Sequence, residues 1–271
     1  MINLNVNRIE ARLNRPGPNL ITPVHYLVIG GGWRGSGVLS TPGGQSGEFN
    51  TGILNFQHET TATFSIGRGA LGVNSTTPGL SSAAASSSLL DYTTDSVNIV
   101  SLPGSQSAAD CNPGDASDIY PCNEKGSWIH DPTTYYFWAQ DGGKSYDVPA
   151  TGNDLRGYGG GQYQGAGQPT AEFPFGNSER NNTTDGYNGT GAGGGSGFGA
   201  PPGESGDGGN GVVGLAIYDP NEIFDVDITV PTRGSGDGFT SQTIVKWEGY
   251  RIWYFHGTYS GGSFTISGRK Q

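Results

Sequence analysis

The stretch HYLVIGGGWRGSG, residues 25–37, joins an apolar run to a cluster of glycines. Tyr26 to Ile29 reads as a strand, and Gly30, Gly32 and Gly35 follow it at the G-x-G-x-x-G spacing. In a dinucleotide-binding unit that spacing lets a pyrophosphate approach the backbone at a helix N-terminus. The helix decides the matter. Residues 36–50, SGVLSTPGGQSGEFN, contain Pro42 and four glycines, which cannot sustain one. The spacing also recurs from Gly67, Gly189 and Gly206. Four matches without βαβ alternation mean that the composition itself generates the pattern.

That composition is unusual. Glycine supplies 49 of 271 residues, more than twice the ordinary share of about 7%. Hydrophobic residues make up 33% and charged residues 14%. The chain nevertheless carries 5 Trp, 13 Tyr and 11 Phe, and disordered chains are poor in aromatics. A formal charge of −10 with only 14 Lys plus Arg leaves no electrostatic footprint for nucleic acid. No apolar run approaches the roughly 20 residues of a membrane span. The N-terminal stretch MINLNVNRIEARLNRPG lacks the apolar core of a secretory signal.

Glycine runs admit two physical readings. One is a flexible linker. The other is an array of packed polyproline-II-type rods, with three residues per turn and no internal hydrogen bonds. Ordering glycine costs more entropy than ordering any other residue, so an array needs flanking strands and many neighbours. Here the runs at 157–167 and 189–199 are punctuated by aromatics, and the last run, 203–211, enters the strand-like VVGLAIY, 212–218. A linker needs neither feature, so the packed array is favoured. The expected fold is therefore mainly β and irregular, with almost no helix.

Along the chain, residues 1–24 read as an attachment arm. Residues 25–221 read as a glycine-rich domain with short β pieces (HYLVI, GILNF, TATFSI) and an insertion at about 77–156. The insertion holds SSAAASSS and a hairpin turning at Asp141-Gly142-Gly143. Residues 222–271 read as four strands in a small antiparallel meander, from IFDVDITV, FTSQTIVKW, YRIWYFH and SFTIS.

Cys111 and Cys122 flank a short polar loop. They read equally as a disulfide and as two reduced thiols. Asp110, Asn112, Asp115 and Asp118 could ligate Ca²⁺, but their spacing is not that of an EF-hand and a solvated acidic loop is expected. GGKS at 142–145 lacks the first P-loop glycine, since position 138 is Trp138. His25, His58, His130 and His256 are scattered, and His58-Glu59 is followed by no second His at the metalloprotease spacing. Asp225 and Asp227 alternate with Phe224, Val226 and Ile228, so a strand with its acids in water explains them better than a glycosidase pair. No G-x-S-x-G elbow is present. The expectation is no enzyme, no metal and no cofactor.

The order of the pieces resembles the glycine-rich domain at the tips of bacteriophage tail fibres and in related phage tail proteins. The stretches that carry it are HYLVIGGGWRGSG (25–37), TATFSIGRGALG (61–72), loosely SSAAASSS (81–88), the three glycine runs, and GDGGNGVVGLAIY (206–218). The insertion and the C-terminal strands depart from the pattern. The resemblance implies a layered array of polyglycine-II rods between small β elements, with receptor contact carried by the connecting loops. The contact candidates on that basis are Phe173, Phe175, Arg180, Asn181 and Tyr187 in loop 168–188, and Pro201 and Pro202. Tyr120 and Trp128 add to them from the insertion, and Trp33 and Arg34 from the opening stretch. It implies a phage structural protein of the virion, a tail fibre or tail-tip adhesin that binds a bacterial surface receptor (polysaccharide or outer-membrane protein). Residues 1–24, with 222–271, would then meet other virion proteins. The alternatives are an architectural minor virion protein, such as a head decoration, and a surface-polysaccharide depolymerase.

Overall fold

The computed structural model describes residues 20–35, 44–72, 81–82, 84–105, 128, 191, 193–194, 205–230, 241–256 and 261–269. The described chain is almost wholly β. Its strands are β1 (Ile21–Ile29), β2 (Phe49–Gln57), β3 (Thr61–Ser65), β4 (Ser88–Tyr92), β5 (Val97–Ser101), β6 (Val212–Tyr218), β7 (Phe224–Thr229), β8 (Ser241–Trp247), β9 (Tyr250–His256) and β10 (Gly262–Arg269). Among the described residues the single helical element is a 3-10 turn, Thr93–Asp95, which joins β4 to β5. Among the described residues no helix is long and apolar enough to cross a membrane.

The strands form two five-stranded sheets. The first runs β2-β1-β6-β9-β8 and the second β5-β4-β3-β10-β7, with every strand pairing antiparallel. Alternation places one side chain in two between the layers. Val24 and Val28 of β1, Leu54 and Phe56 of β2, and Val213, Leu215 and Ile217 of β6 come from the first sheet. They meet Ala62, Phe64, Leu90, Tyr92, Phe264 and Ile266 of the second. Aromatic rings carry much of the contact in a chain poor in aliphatic residues. Phe56 stacks on Tyr92 with centroids 4.7 Å apart, and Phe64 on Phe255 at 4.3 Å.

Three expectations change here. Residues 21–24 do not belong to a separate arm, because β1 begins at Ile21 and buries Val24 completely. The 77–156 stretch is not wholly an insertion, because SLLDY and VNIVS within it are β4 and β5. The four C-terminal strands exist, but they do not form a meander. β7 pairs with β10 in one sheet while β8 pairs with β9 in the other. They widen both sheets on the same side, β9-β8 beside β6 and β10-β7 beside β3.

The junction between β6 and these added strands rests on Asp219. Its buried carboxylate receives the Arg251 guanidinium at 2.8 Å and the backbone N–H of Ile223 at 2.8 Å. Arg251 also donates to the Phe224 carbonyl at 2.9 Å and lies 5.0 Å over the Trp253 ring. The two side chains are 1% and 13% exposed, so removing one strands a buried charge. Asp219→Ala should lower the unfolding free energy by about 3 kcal/mol or more in denaturant titration. Lys246→Gln, which breaks only the exposed Lys246–Glu222 pair, should cost less than about 1 kcal/mol.

Candidate functional site

One end of the sandwich does not stop at its strands. Six strands continue there as irregular segments, most of them glycine-containing. Residues 30–35 extend β1, 44–48 precede β2 and 66–72 follow β3. Residues 81–87 lead into β4, 102–105 follow β5 and 205–211 lead into β6.

Hydrogen bonds among these segments repeat every third residue. Gly30 N–H donates to Glu48 O and Trp33 N–H to Gln45 O. Gly32 N–H donates to Gly209 O, Gly35 N–H to Gly206 O and Gly31 N–H to Ser86 O. The carbonyls of Gly31, Gly32 and Trp33 accept from Gly104, Ala70 and Gly194. Residues 30–35 thus bond to six surrounding segments, the sixth being 191–194. The surrounding segments bond to one another with the same period: Gly44 to Gly194 and Gly47 to Gly191, Gln45 to Ser105 and Glu48 to Leu102, Gly208 to Ala70 and Gly211 to Gly67. This is the geometry of packed polyglycine-II rods. A three-residue turn rotates successive amides by about 120°, so each faces a different neighbour. Two of the three runs read from the sequence, 189–199 and 203–211, contribute to it, while 157–167 lies outside the described residues.

Close approach, rather than unusual backbone angles, explains the glycines. A Cβ on Gly31, Gly47, Gly69 or Gly208 would stand 2.0 Å from the carbonyl oxygen of Arg68, Gly30, Gly208 or Gly32 respectively. Among the described residues of the array only Gly191 has a positive φ, 66°. Buried polar side chains close amides that no rod reaches. Asn210 Oδ1 accepts from Gly69 N–H at 2.8 Å, and Asp207 Oδ1 from Gly72 N–H at 2.6 Å.

At the neck, where ladder becomes array, two serines of the second sheet bind the last carbonyls of β1. Ser101 Oγ donates to Val28 O at 2.7 Å and Ser88 Oγ to Ile29 O at 2.6 Å. Ser88 Oγ also accepts from Gly67 N–H at 2.8 Å.

The array fixes where the chain can vary. The described chain leaves the far end at Gly35, Gly72, Ser105 and Gly194 and re-enters there at Gly44, Ser81 and Ser205. Trp33 and Arg34 lie in the central rod near that end. Both are half-buried, and Arg34 donates to the Leu71 carbonyl at 3.3 Å. Trp128 sits elsewhere. Its ring packs edge-on to Tyr254, with centroids 5.5 Å apart, on the outer face of the first sheet. It lies directly over Gly214, whose Cβ would meet it at 2.7 Å. Burial under this cover pushes the Tyr254 hydroxyl well above its usual pKa. Phe173, Phe175, Arg180, Asn181, Tyr187, Pro201, Pro202 and Tyr120 lie outside the described residues, as do Cys111, Cys122, the 110–118 loop, the Asp141–Gly143 turn and His130.

The other candidates take ordinary places. Asp225 and Asp227 are exposed on β7 while Phe224, Val226 and Ile228 pack inward. His58 is buried with Nε2 2.8 Å from Thr22 Oγ1. His25 packs edge-on to Tyr250, and burial holds its pKa below the ordinary value.

The glycine-rich domain family matches residues 14–218. The chain belongs to this family. The match closes on Tyr218, the last residue of β6, so the glycine-rich domain supplies β1 to β6 and every rod of the array. Strands β7 to β10 lie beyond it. No curated protein and no solved structure matches the chain.

Gly208→Ala should destabilise the protein by about 3 kcal/mol or more, because backbone on the facing rod cannot yield. Ser86→Ala removes only an exposed acceptor for Arg68 N–H and should cost less than about 1 kcal/mol. Thermal unfolding of the two variants checks the contrast.

Proposed function

We propose that this protein is a bacteriophage virion component, a tail-fibre or tail-tip adhesin that binds a host surface receptor without catalysis. The observation that carries the reading is the seven-rod array at one end of the sandwich, with three of its chain connections leaving and re-entering at the far end and the fourth running from Ser105 there to Gly191 at the neck. A rigid base tolerates change in the segments it holds, because those segments contribute little to its stability. Pro201 and Pro202 fall in the connection between Gly194 and Ser205, and Trp33 and Arg34 lie beside the same end. Phe173, Phe175, Arg180, Asn181 and Tyr187 belong to the connection between Ser105 and Gly191.

In this reading residues 1–19, which lead into β1 at the opposite end of the sandwich from the array, hold the protein to the particle. The acidic balance, −10, keeps it from adhering to the particle's own DNA.

Purified protein should bind cells of the phage's host and reduce adsorption of intact phage. Trp33→Ala with Arg34→Ala should weaken both effects while leaving the unfolding midpoint nearly unchanged. A folded protein that neither binds cells nor blocks adsorption overturns the adhesin reading and favours an architectural role. New reducing ends in host polysaccharide would instead establish a depolymerase.

A further inference from the structure

The two sides of the sandwich manage their open edges differently. On one side lie β8 and β7. They carry Lys246, paired with Glu222, and the exposed acids Asp225 and Asp227. Charges of this kind block edge-to-edge pairing. On the other side lie β2 and β5, FNTGILNFQ and VNIVS, without one charged residue. Ile53, Val100 and, just after β5, Leu102 are 58%, 46% and 58% exposed there. β2 is nine residues long, contains no proline and keeps an unbroken register with β1. Within β2 itself no charge, proline or bulge blunts the edge.

Which backbone groups β2 presents follows from its ends. Gly30 N–H donates to Glu48 O, and His58 N–H donates to Leu20 O. Positions 48 and 58 therefore face β1. In an antiparallel ladder the residues facing the partner alternate, so 50, 52, 54 and 56 face β1 as well. The odd residues point outward. Gln57 confirms the parity, since its N–H is taken by Tyr92 Oη at 2.8 Å from the second sheet. The outward groups of Phe49, Thr51, Ile53 and Asn55 have no partner among the described residues.

We infer that β2 is a self-association edge, whose occupant is β2 of a second copy of this chain. Those four residues are symmetric about Gly52. A two-fold axis there pairs Phe49 with Asn55 of the second copy and Thr51 with its Ile53, each in reverse as well. All eight of these outward N–H and C=O groups then gain a partner. Thr51 covers the exposed Ile53 across the axis, and no like charges stand opposite. An isologous contact must complement itself in this way, and a neutral strand does so where a charged one cannot. The first sheets of two copies become one ten-stranded sheet, with the two arrays at opposite ends. The inference does not depend on the adhesin reading.

Light scattering and sedimentation of the full chain at 1–100 µM (about the range in which weak homodimers form) test it. The expected result is a monomer–dimer equilibrium that added salt strengthens, because each copy carries −10. Ile53→Lys should raise the dissociation constant at least about tenfold, while Asp225→Asn on the opposite side should leave it unchanged. Amide exchange provides a readout without substitution. Thr51 and Ile53 should exchange rapidly in dilute protein and become protected as concentration rises. A chain that stays monomeric at 100 µM, a dimer indifferent to Ile53→Lys, or exchange at Thr51 and Ile53 that ignores concentration overturns the proposal.

Discussion

A rod with three residues per turn cannot satisfy its own backbone. Each amide points about 120° from the last and must find its acceptor on a different neighbour. Residues 30–35 meet this demand by lying among six other segments, and nothing less than that number would do for a rod that is buried all round. The same demand excludes side chains from the points of contact. At Gly31, Gly47, Gly69 and Gly208 a methyl group would stand 2.0 Å from a carbonyl oxygen. The glycines at the contacts and the number of neighbours both follow from this one geometry.

Such an array is entropically expensive, because its glycines lose the most freedom on folding. The sandwich offsets that cost by delivering rods already aligned. Six strands enter the array from two sheets, so the spacing of the layers sets the starting positions of the rods. The neck is where mismatch would accumulate, since a two-layer ladder must become a ring around one rod. Ser88 and Ser101 resolve it by reaching from the second sheet to the last carbonyls of β1. Strands β7 to β10 never touch this problem. They add Trp253, Phe255, Phe264 and Ile266 to the core, and Asp219 with Arg251 fastens them where the glycine-rich domain ends.

Much of this is legible in the sequence, and the gaps have physical causes. The strand in HYLVI, the closing VVGLAIY and the four C-terminal strands each show alternation or a continuous apolar run. β4 and β5 escape notice because five residues alternate too briefly and follow a Ser/Ala tract. That tract is itself part of the array, since Ser81 and Ser86 exchange backbone hydrogen bonds with Gly69, Leu71, Gly31 and Arg68, so glycine richness alone underestimates the rods. The C-terminal topology is invisible to periodicity. Alternation fixes which face of β7 or β10 is inward, but not which sheet each joins, and hairpin-like spacing favours the wrong answer. Trp128 shows the same limit. Its aromatic ring signals a buried surface or a binding surface equally, and only Gly214 beneath it and Tyr254 beside it assign the ring to packing.

The array also constrains where any recognition can reside. Its interior is backbone against backbone, and two of its buried polar side chains, Asp207 and Asn210, accept from the amides of Gly72 and Gly69. Altering those residues alters the scaffold, so they cannot be tuned for a ligand. Variation is free only where rods end, and the central rod places its two large side chains, Trp33 and Arg34, near that end rather than at the neck. A large side chain cannot sit deep in a rod with six neighbours, so its position is dictated by packing before any ligand is considered. Folding thus confines the central rod's bulky residues to its far end, where side chains can change without renegotiating the fold.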